Sequence, residues 1–238
     1  MNATSEELPE TTRPPYRVGR ETLRGDAWML ALMAADFLLG LWSLTWLPAR
    51  VPVHFGLDGT PDRWGPAWQN ALLLPAIGVV VYLLLLFLPL IDPKRANYAL
   101  FSETARFFRG AVVVFMVGVH VAVLLTSIGH GPRMDLMMRI GLPLLFAALG
   151  NRMGTLRPNW FFGVRVPWTL ASEEVWRRTH RMAARLWVAG GLVLLAAAAL
   201  PVGLGLAILV GGLVLLSLAP IVYSWRLFES LRKTSTGQ

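Results

Sequence analysis

The sequence predicts an all-α integral membrane protein: six transmembrane helices in a bundle, both termini in the cytoplasm, a structured outer loop and a cytoplasmic interfacial segment. Three observations predict it. Of the 238 residues, 55% are hydrophobic and only 15% charged, where a soluble domain carries about 25% charged. The apolar residues collect into six blocks, 27–47, 71–91, 110–129, 134–149, 186–200 and 204–225, close to the roughly 17–25 residues that a membrane-crossing helix needs. Of the 22 Lys and Arg, 18 lie in alternate inter-block segments, leaving only Arg50, Arg63 and Arg133 in the others and Arg139 near the same end of block four. That asymmetry is the positive-inside pattern, and it places both termini and the segment between blocks four and five in the cytoplasm.

Residues 1–26 are polar, carry both charge signs and several prolines, and read as a mobile cytoplasmic tail. They have no apolar core beside a basic start, so they do not read as a signal peptide. Block one carries Asp36 and block three His120, each near its middle. A central carboxylate costs about 2.5–3.5 kcal/mol on insertion scales, so both should face the bundle interior. They read either as a proton-linked pair on a polar path or as one interhelical hydrogen bond that fixes packing.

The outer loop, residues 47–66, contains "VPVHF", an extended run, and "DGTPD", a turn in which Gly59 supplies a positive φ. His54, Asp58 and Asp62 stand four apart. Imidazole and carboxylate together suit a metal or ligand site. The other reading is a folded cap, with His54 bonded to the turn and Asp62 paired with Arg63 or capping it. Trp46, Trp64 and Trp68 stand at interfacial positions. Asp135 and Arg139, four apart, read as a local ion pair. Gly211-Gly212 in block six permits close helix contact.

Between blocks four and five runs "GNRMGTLRPNWFFGVRVPWTLASEEVWRRTHRMAARLW". Its second half is helical. Ser172 is a fitting N-cap, and Glu173 and Glu174 suit a first turn and reach Arg177 and Arg178 one turn on. Val175, Trp176, Thr179, Met182, Ala183 and Leu186 share one face, with arginines on another, which describes a basic amphipathic helix at the interface. The first half is broken by Pro158, Gly163 and Pro167. Its aromatics ask either for burial under the bundle or for the headgroup layer.

These residues also carry a resemblance. The cytoplasmic stretch resembles the signature of the SdpI family, a G-N-x-M start, then P-N-x-F-x-G-I-R-T-P-W-T-L and V-W-x-x-T-H, with Val164 and Val166 where Ile and Thr are usual. "LPARVPVHFGLDGTPDRWG" resembles the DUF1648 motif that accompanies it. The resemblance falls on Asn159, Gly163, Arg165, Pro167, Trp168, Trp176 and His180 in the cytoplasm, as ligand- or partner-binding residues. Outside it falls on Pro52, His54, Gly59, Asp62 and Trp64. It implies a bacterial multi-pass protein of the cytoplasmic membrane that gives immunity to a secreted membrane-active toxic peptide and signals by holding a small DNA-binding repressor at the membrane.

The chain divides into the tail 1–26, a DUF1648-like half 27–149, the cytoplasmic motif with its basic helix 150–185, spans five and six 186–226, and a second tail 227–238. With no cysteine, disulfides and thiolate chemistry are excluded. No metalloprotease, Ser/Lys or acidic-cluster motif appears, so no enzyme, no cofactor and no catalytic residue is expected. The net charge of +8 is a topology signal rather than a nucleic-acid footprint. The expected partners are membrane lipid, a toxic peptide outside and a repressor inside, with a homo-oligomer left open. The reading kept beside immunity is a small proton-linked transporter or metal-dependent membrane protein, using Asp36 and His120 or His54 and Asp62.

Overall fold

The computed structural model describes residues 15–235, so the tail reading for 1–14 and 236–238 lies outside the described residues. Its helices are α1 (Arg20–Gly25), α2 (Ala27–Ser43), α3 (Leu74–Phe87), α4 (Ser102–Ser127), α5 (Met134–Met153), α6 (Pro167–Ala171), α7 (Glu173–Leu195) and α8 (Val202–Ser235), with a hairpin of β1 (Arg50–Phe55) and β2 (Pro61–Pro66) after α2. Five helical stretches are long and apolar enough to cross a membrane, and α2 is a shorter apolar helix of 17 residues. The molecule is an all-α membrane helix bundle and a multi-pass protein.

Several boundaries move. The first apolar helix ends at Ser43, because residues 44–47 turn toward the hairpin. The fifth is one helix with the amphipathic segment before it, so its arginine-bearing turns rise from the end of a span. Arg106 and Arg109 lie in the first turns of α4 rather than in a loop. Within 15–26 the chain is fastened. Tyr16 packs on Tyr98 with ring centroids 5.5 Å apart, and its hydroxyl donates to the Leu86 carbonyl at 3.3 Å. Asp26, fully buried, takes Arg109 Nε at 3.0 Å and Nη2 at 2.7 Å, and the Tyr82 hydroxyl at 3.0 Å. An arginine buried this deeply is tolerable only with its charge matched and its donors used.

Close helix contact comes from small residues. A side chain at Gly150 of α5 would strike Trp187 and Val188 of α7, and one at Gly191 of α7 would strike Pro143 and Ala147 of α5. The two helices therefore run antiparallel with backbones near touching, where dispersion gains most. Of the Gly211-Gly212 pair, only Gly212 sits against a neighbour, Leu194, while Gly211 faces open space. Asp135 and Arg139 pair at 2.5 Å, and Arg139 Nη1 also donates to the carbonyls of Ala197, Ala198 and Leu200 at 3.1, 3.3 and 2.8 Å. That cation thus closes the turn that follows α7, where a helix end leaves carbonyls unpaired.

Candidate functional site

The chain between α5 and α6 folds under the bundle end. Asn159 is fully buried. Its Oδ1 accepts from the Phe161 and Phe162 amides at 2.9 and 2.6 Å, and its Nδ2 donates to the Arg157 carbonyl at 2.9 Å. One amide side chain thereby satisfies the turn that the adjacent Pro158 leaves without a ladder. Asp92, just beyond α3 and buried, accepts from the Lys94 amide at 2.7 Å, the Tyr98 hydroxyl at 2.8 Å and the Trp160 amide at 2.8 Å. Asn97 Nδ2 donates to the Pro158 carbonyl at 2.9 Å. Burial, reinforced by the Asp92 carboxylate, pushes the Tyr98 phenol far above its ordinary range.

Two side chains of α7 close the other side. Trp176 Nε1 donates to the Leu156 carbonyl at 2.9 Å, and the rings of Trp176 and His180 stack at 4.0 Å. His180 Nε2 receives the Val164 amide at 3.0 Å, while Nδ1 lies 2.8 Å from the Trp176 carbonyl. An amide can only donate and a carbonyl only accept, so the ring proton sits on Nδ1 and His180 is the neutral tautomer. Gly163 has φ +93°, and a side chain there would overlap His180 Nε2. Only glycine meets both conditions. The aromatics mostly go inward. Phe162 and Trp176 are buried in one cluster with Tyr98, Phe101 and Phe108, whereas Trp160 stays half exposed.

The remaining motif residues are closer to the surface. Arg165 is exposed and donates through Nη1 to the Trp160 carbonyl at 2.9 Å. Pro167, also exposed, opens α6, where Thr169 Oγ1 receives the Val166 amide at 3.0 Å. Trp168 Nε1 donates to Ser224 Oγ of α8 at 2.6 Å. Ser172 caps α7 by accepting from the Val175 amide, and Glu174 holds both Arg177 and Arg178. The seven motif residues are brought together. Asn159, Gly163, Trp176 and His180 form the inner framework, and Arg165, Pro167 and Trp168 form its outer side.

At the opposite end the loop after α2 is an antiparallel hairpin whose second strand, residues 61–66, goes beyond the single extended run and turn legible in the sequence. Gly59 has φ +76° at the tip and abuts Asp135 at the start of α5. The Pro52 carbonyl accepts from Asn70 Nδ2 at 2.8 Å, which also donates to Ser127 Oγ at 2.9 Å. His54 Nδ1 pairs with Asp62 Oδ1 at 2.6 Å, both about half exposed, so Asp62 takes His54 rather than Arg63. Asp58 turns instead to the Thr60 amide and hydroxyl at 3.1 and 2.7 Å. Those two bonds hold its carboxyl below the usual range. Trp64 and Trp68 are half exposed, whereas Trp46 is turned inward with its indole N–H buried. No three His, Cys, Asp or Glu side chains gather among the described residues. Beneath the hairpin, between α4, α5 and α8, lies a cavity of about 900 Å³ with mostly apolar walls.

Inside the bundle Asp36 Oδ1 and His120 Nδ1 meet at 2.7 Å, both buried, and His120 Nε2 has no partner. A side chain at Gly40 would overlap the Ala71 carbonyl. Pro75, four residues on, lacks the amide that would pair with that carbonyl. The chain answers with a π turn over Gln69–Leu73, a common device where a helix must absorb such a break.

The comparisons with known proteins fall on these parts. The SdpI/YfhL protein family model matches residues 155–224, and the domain of unknown function DUF1648 matches residues 31–79. The first span holds the framework around Asn159 and His180, and the second holds Asp36, the hairpin and the π turn. The chain is similar to the SdpI family over these stretches. The immunity protein SdpI of Bacillus subtilis (strain 168) is 22% identical over 165 residues, covering 69% of this chain and 77% of that protein. No solved structure matches the chain. The residues that sequence reasoning missed are Asp92, Asn97 and Tyr98, along with Asp26 and Arg109. The one signal for Asp92 was an acid followed by Pro93 directly after an apolar block, a helix stop that needs its orphan groups filled.

Proposed function

We propose that this protein gives a bacterium immunity to a membrane-active toxic peptide, acting from the cytoplasmic membrane with both termini inside. The observation that carries this reading is the outer hairpin held over an apolar-walled cavity of about 900 Å³, at the end opposite the arginine-rich side. A peptide that partitions into the outer leaflet meets that opening first, and apolar walls with His54 and Arg63 among the lining residues suit an amphipathic chain. The similarity to a protein named for immunity supports the same reading. The cytoplasmic end suits a partner. Arg178, Arg181 and Arg185 stand exposed along α7 beside the framework, a basic row fit for an acidic surface of a repressor protein.

The second reading, proton-linked transport, is favoured by one observation: the buried Asp36–His120 pair, whose Nε2 has no hydrogen-bond partner. One experiment separates the two. A sensitive bacterium expressing the protein is challenged with a sporulation-delay-type toxic peptide, with membrane levels matched across wild type, Arg165→Ala, Leu209→Trp and Asp36→Asn. Leu209 lines the outer cavity. Protection by wild type and Asp36→Asn, lost in Leu209→Trp and Arg165→Ala, is the outcome expected for immunity. Absence of protection by well-expressed wild type overturns it.

A further inference from the structure

A second cavity, about 670 Å³, lies on the side of the bundle between α2, α4 and α5. Its wall is apolar along most of its length. Gly110, Val114 and Gly118 of α4 form one side, and Gly141, Leu144 and Ala148 of α5 the other. Glycines keep this wall recessed. At Gly110 the Trp28 ring lies where a side chain would go, and at Gly118 only the Met137 methyl comes within contact range of an added Cβ. Val114 and Leu144 are about half exposed, so the groove opens sideways toward lipid. Its polar residues collect at one end only: Glu103 and Arg106 on α4, and Arg152 on α5. All three are exposed, and the Arg152 guanidinium sits 5.7 Å from the centroid of the Phe107 ring.

This arrangement has a direction and a length. From Arg106 to Gly118 the rise along α4 is about 18 Å at 1.5 Å per residue, a little more than the ~15 Å of one leaflet's hydrocarbon. The charged end is the arginine-rich end of the molecule. Two guanidiniums beside an open apolar channel, one leaflet deep, match a phosphate joined to an acyl chain. Glu103 leaves the mouth with a formal charge of about one positive unit, which suits a headgroup with a single negative charge.

We propose that this groove is a binding site for one singly anionic phospholipid of the cytoplasmic leaflet, its phosphate held by Arg106 and Arg152 and one acyl chain laid along the α4–α5 groove past Gly118. The site rests on the cytoplasmic assignment of that end and is independent of the immunity reading. It gives the bundle a lipid-dependent wall between α2 and α5.

The test is native mass spectrometry of the detergent-purified protein given equimolar phosphatidylglycerol and phosphatidylcholine with identical chains. Wild type, Arg106→Gln/Arg152→Gln, Gly118→Leu and Arg226→Gln are compared, each first checked for cooperative thermal unfolding. Arg226 lies on the same side of the molecule but outside the groove, and serves as the surface-charge control. The expected result is one retained phosphatidylglycerol per wild-type chain, at least tenfold over phosphatidylcholine. The preference falls to parity in the double arginine variant, retention of both lipids falls in Gly118→Leu, and Arg226→Gln behaves as wild type. Equal retention of the two lipids by wild type, a preference that survives the double substitution, or an equal loss in Arg226→Gln overturns the proposal.

Discussion

The amide of Val164 donates to Nε2 of His180 across 3.0 Å, and this bond ties the irregular segment between α5 and α6 to α7. The ring is held from its other nitrogen by the Trp176 carbonyl of its own helix at 2.8 Å. His180 therefore acts as a fixed bracket rather than as an exposed titrating group. His180→Ala leaves the Val164 amide without that acceptor, at a cost of about 1–3 kcal/mol, seen as a lower midpoint for thermal unfolding in detergent. Gly163→Ala costs about 1–3 kcal/mol for its positive φ, with the overlap on His180 added. A Gly163→Ala protein as stable as wild type would show that the bracket is not rigid.

Asp92 gathers three donors from three chain positions, and asparagine can offer only one carbonyl oxygen in place of two carboxylate oxygens. Asp92→Asn should loosen residues 154–166, read as faster proteolysis there and a shift in tryptophan emission, while the spans stay folded. An unchanged cleavage rate would argue that Asn159 alone holds the turn.

The raised Tyr98 pKa carries a pH prediction. Its neutral phenol is favoured in the folded state, so the contribution is fully present below the unfolded value of 10.0 and is lost as pH rises above it. Unfolding temperature should drop above about pH 10 more steeply in wild type than in Tyr98→Phe. Parallel curves for the two proteins would remove Tyr98 as the cause.

The Asp26–Arg109 pair is buried with its charges matched, so removing one partner should cost about 3–5 kcal/mol. Replacing both with apolar residues of similar size should cost far less. A double-mutant cycle on Asp26→Leu and Arg109→Met measures this. Additive single effects would show that the two charges are not coupled.

The His54–Asp62 pair supplies two ligands, where a stable zinc site uses three or four. Calorimetric titration of the purified protein with zinc should show no stoichiometric binding that His54→Ala removes. Tight binding lost in that variant would return the outer loop to the metal reading.

The membrane class, the helical blocks and their alternating charge were legible because burial in lipid demands long apolar runs and because arginine counts are local quantities. The positive φ at Gly59 and the Ser172 cap could also be read, since each depends on residues adjacent in the chain. What only the tertiary structure decided involves partners far apart in sequence. Asp36 could be placed in the interior, but its pairing with His120, 84 residues away, follows from how α2 and α4 cross. The two alternatives for the aromatic stretch, headgroup layer or bundle end, differ in burial against Tyr98 and Phe108, which no local pattern encodes. Asp92 and Asp26 were missed because an acid at the edge of an apolar block resembles any other polar end in sequence. Their buried roles arise only when packing removes the water and leaves a tyrosine or an arginine as the available partner.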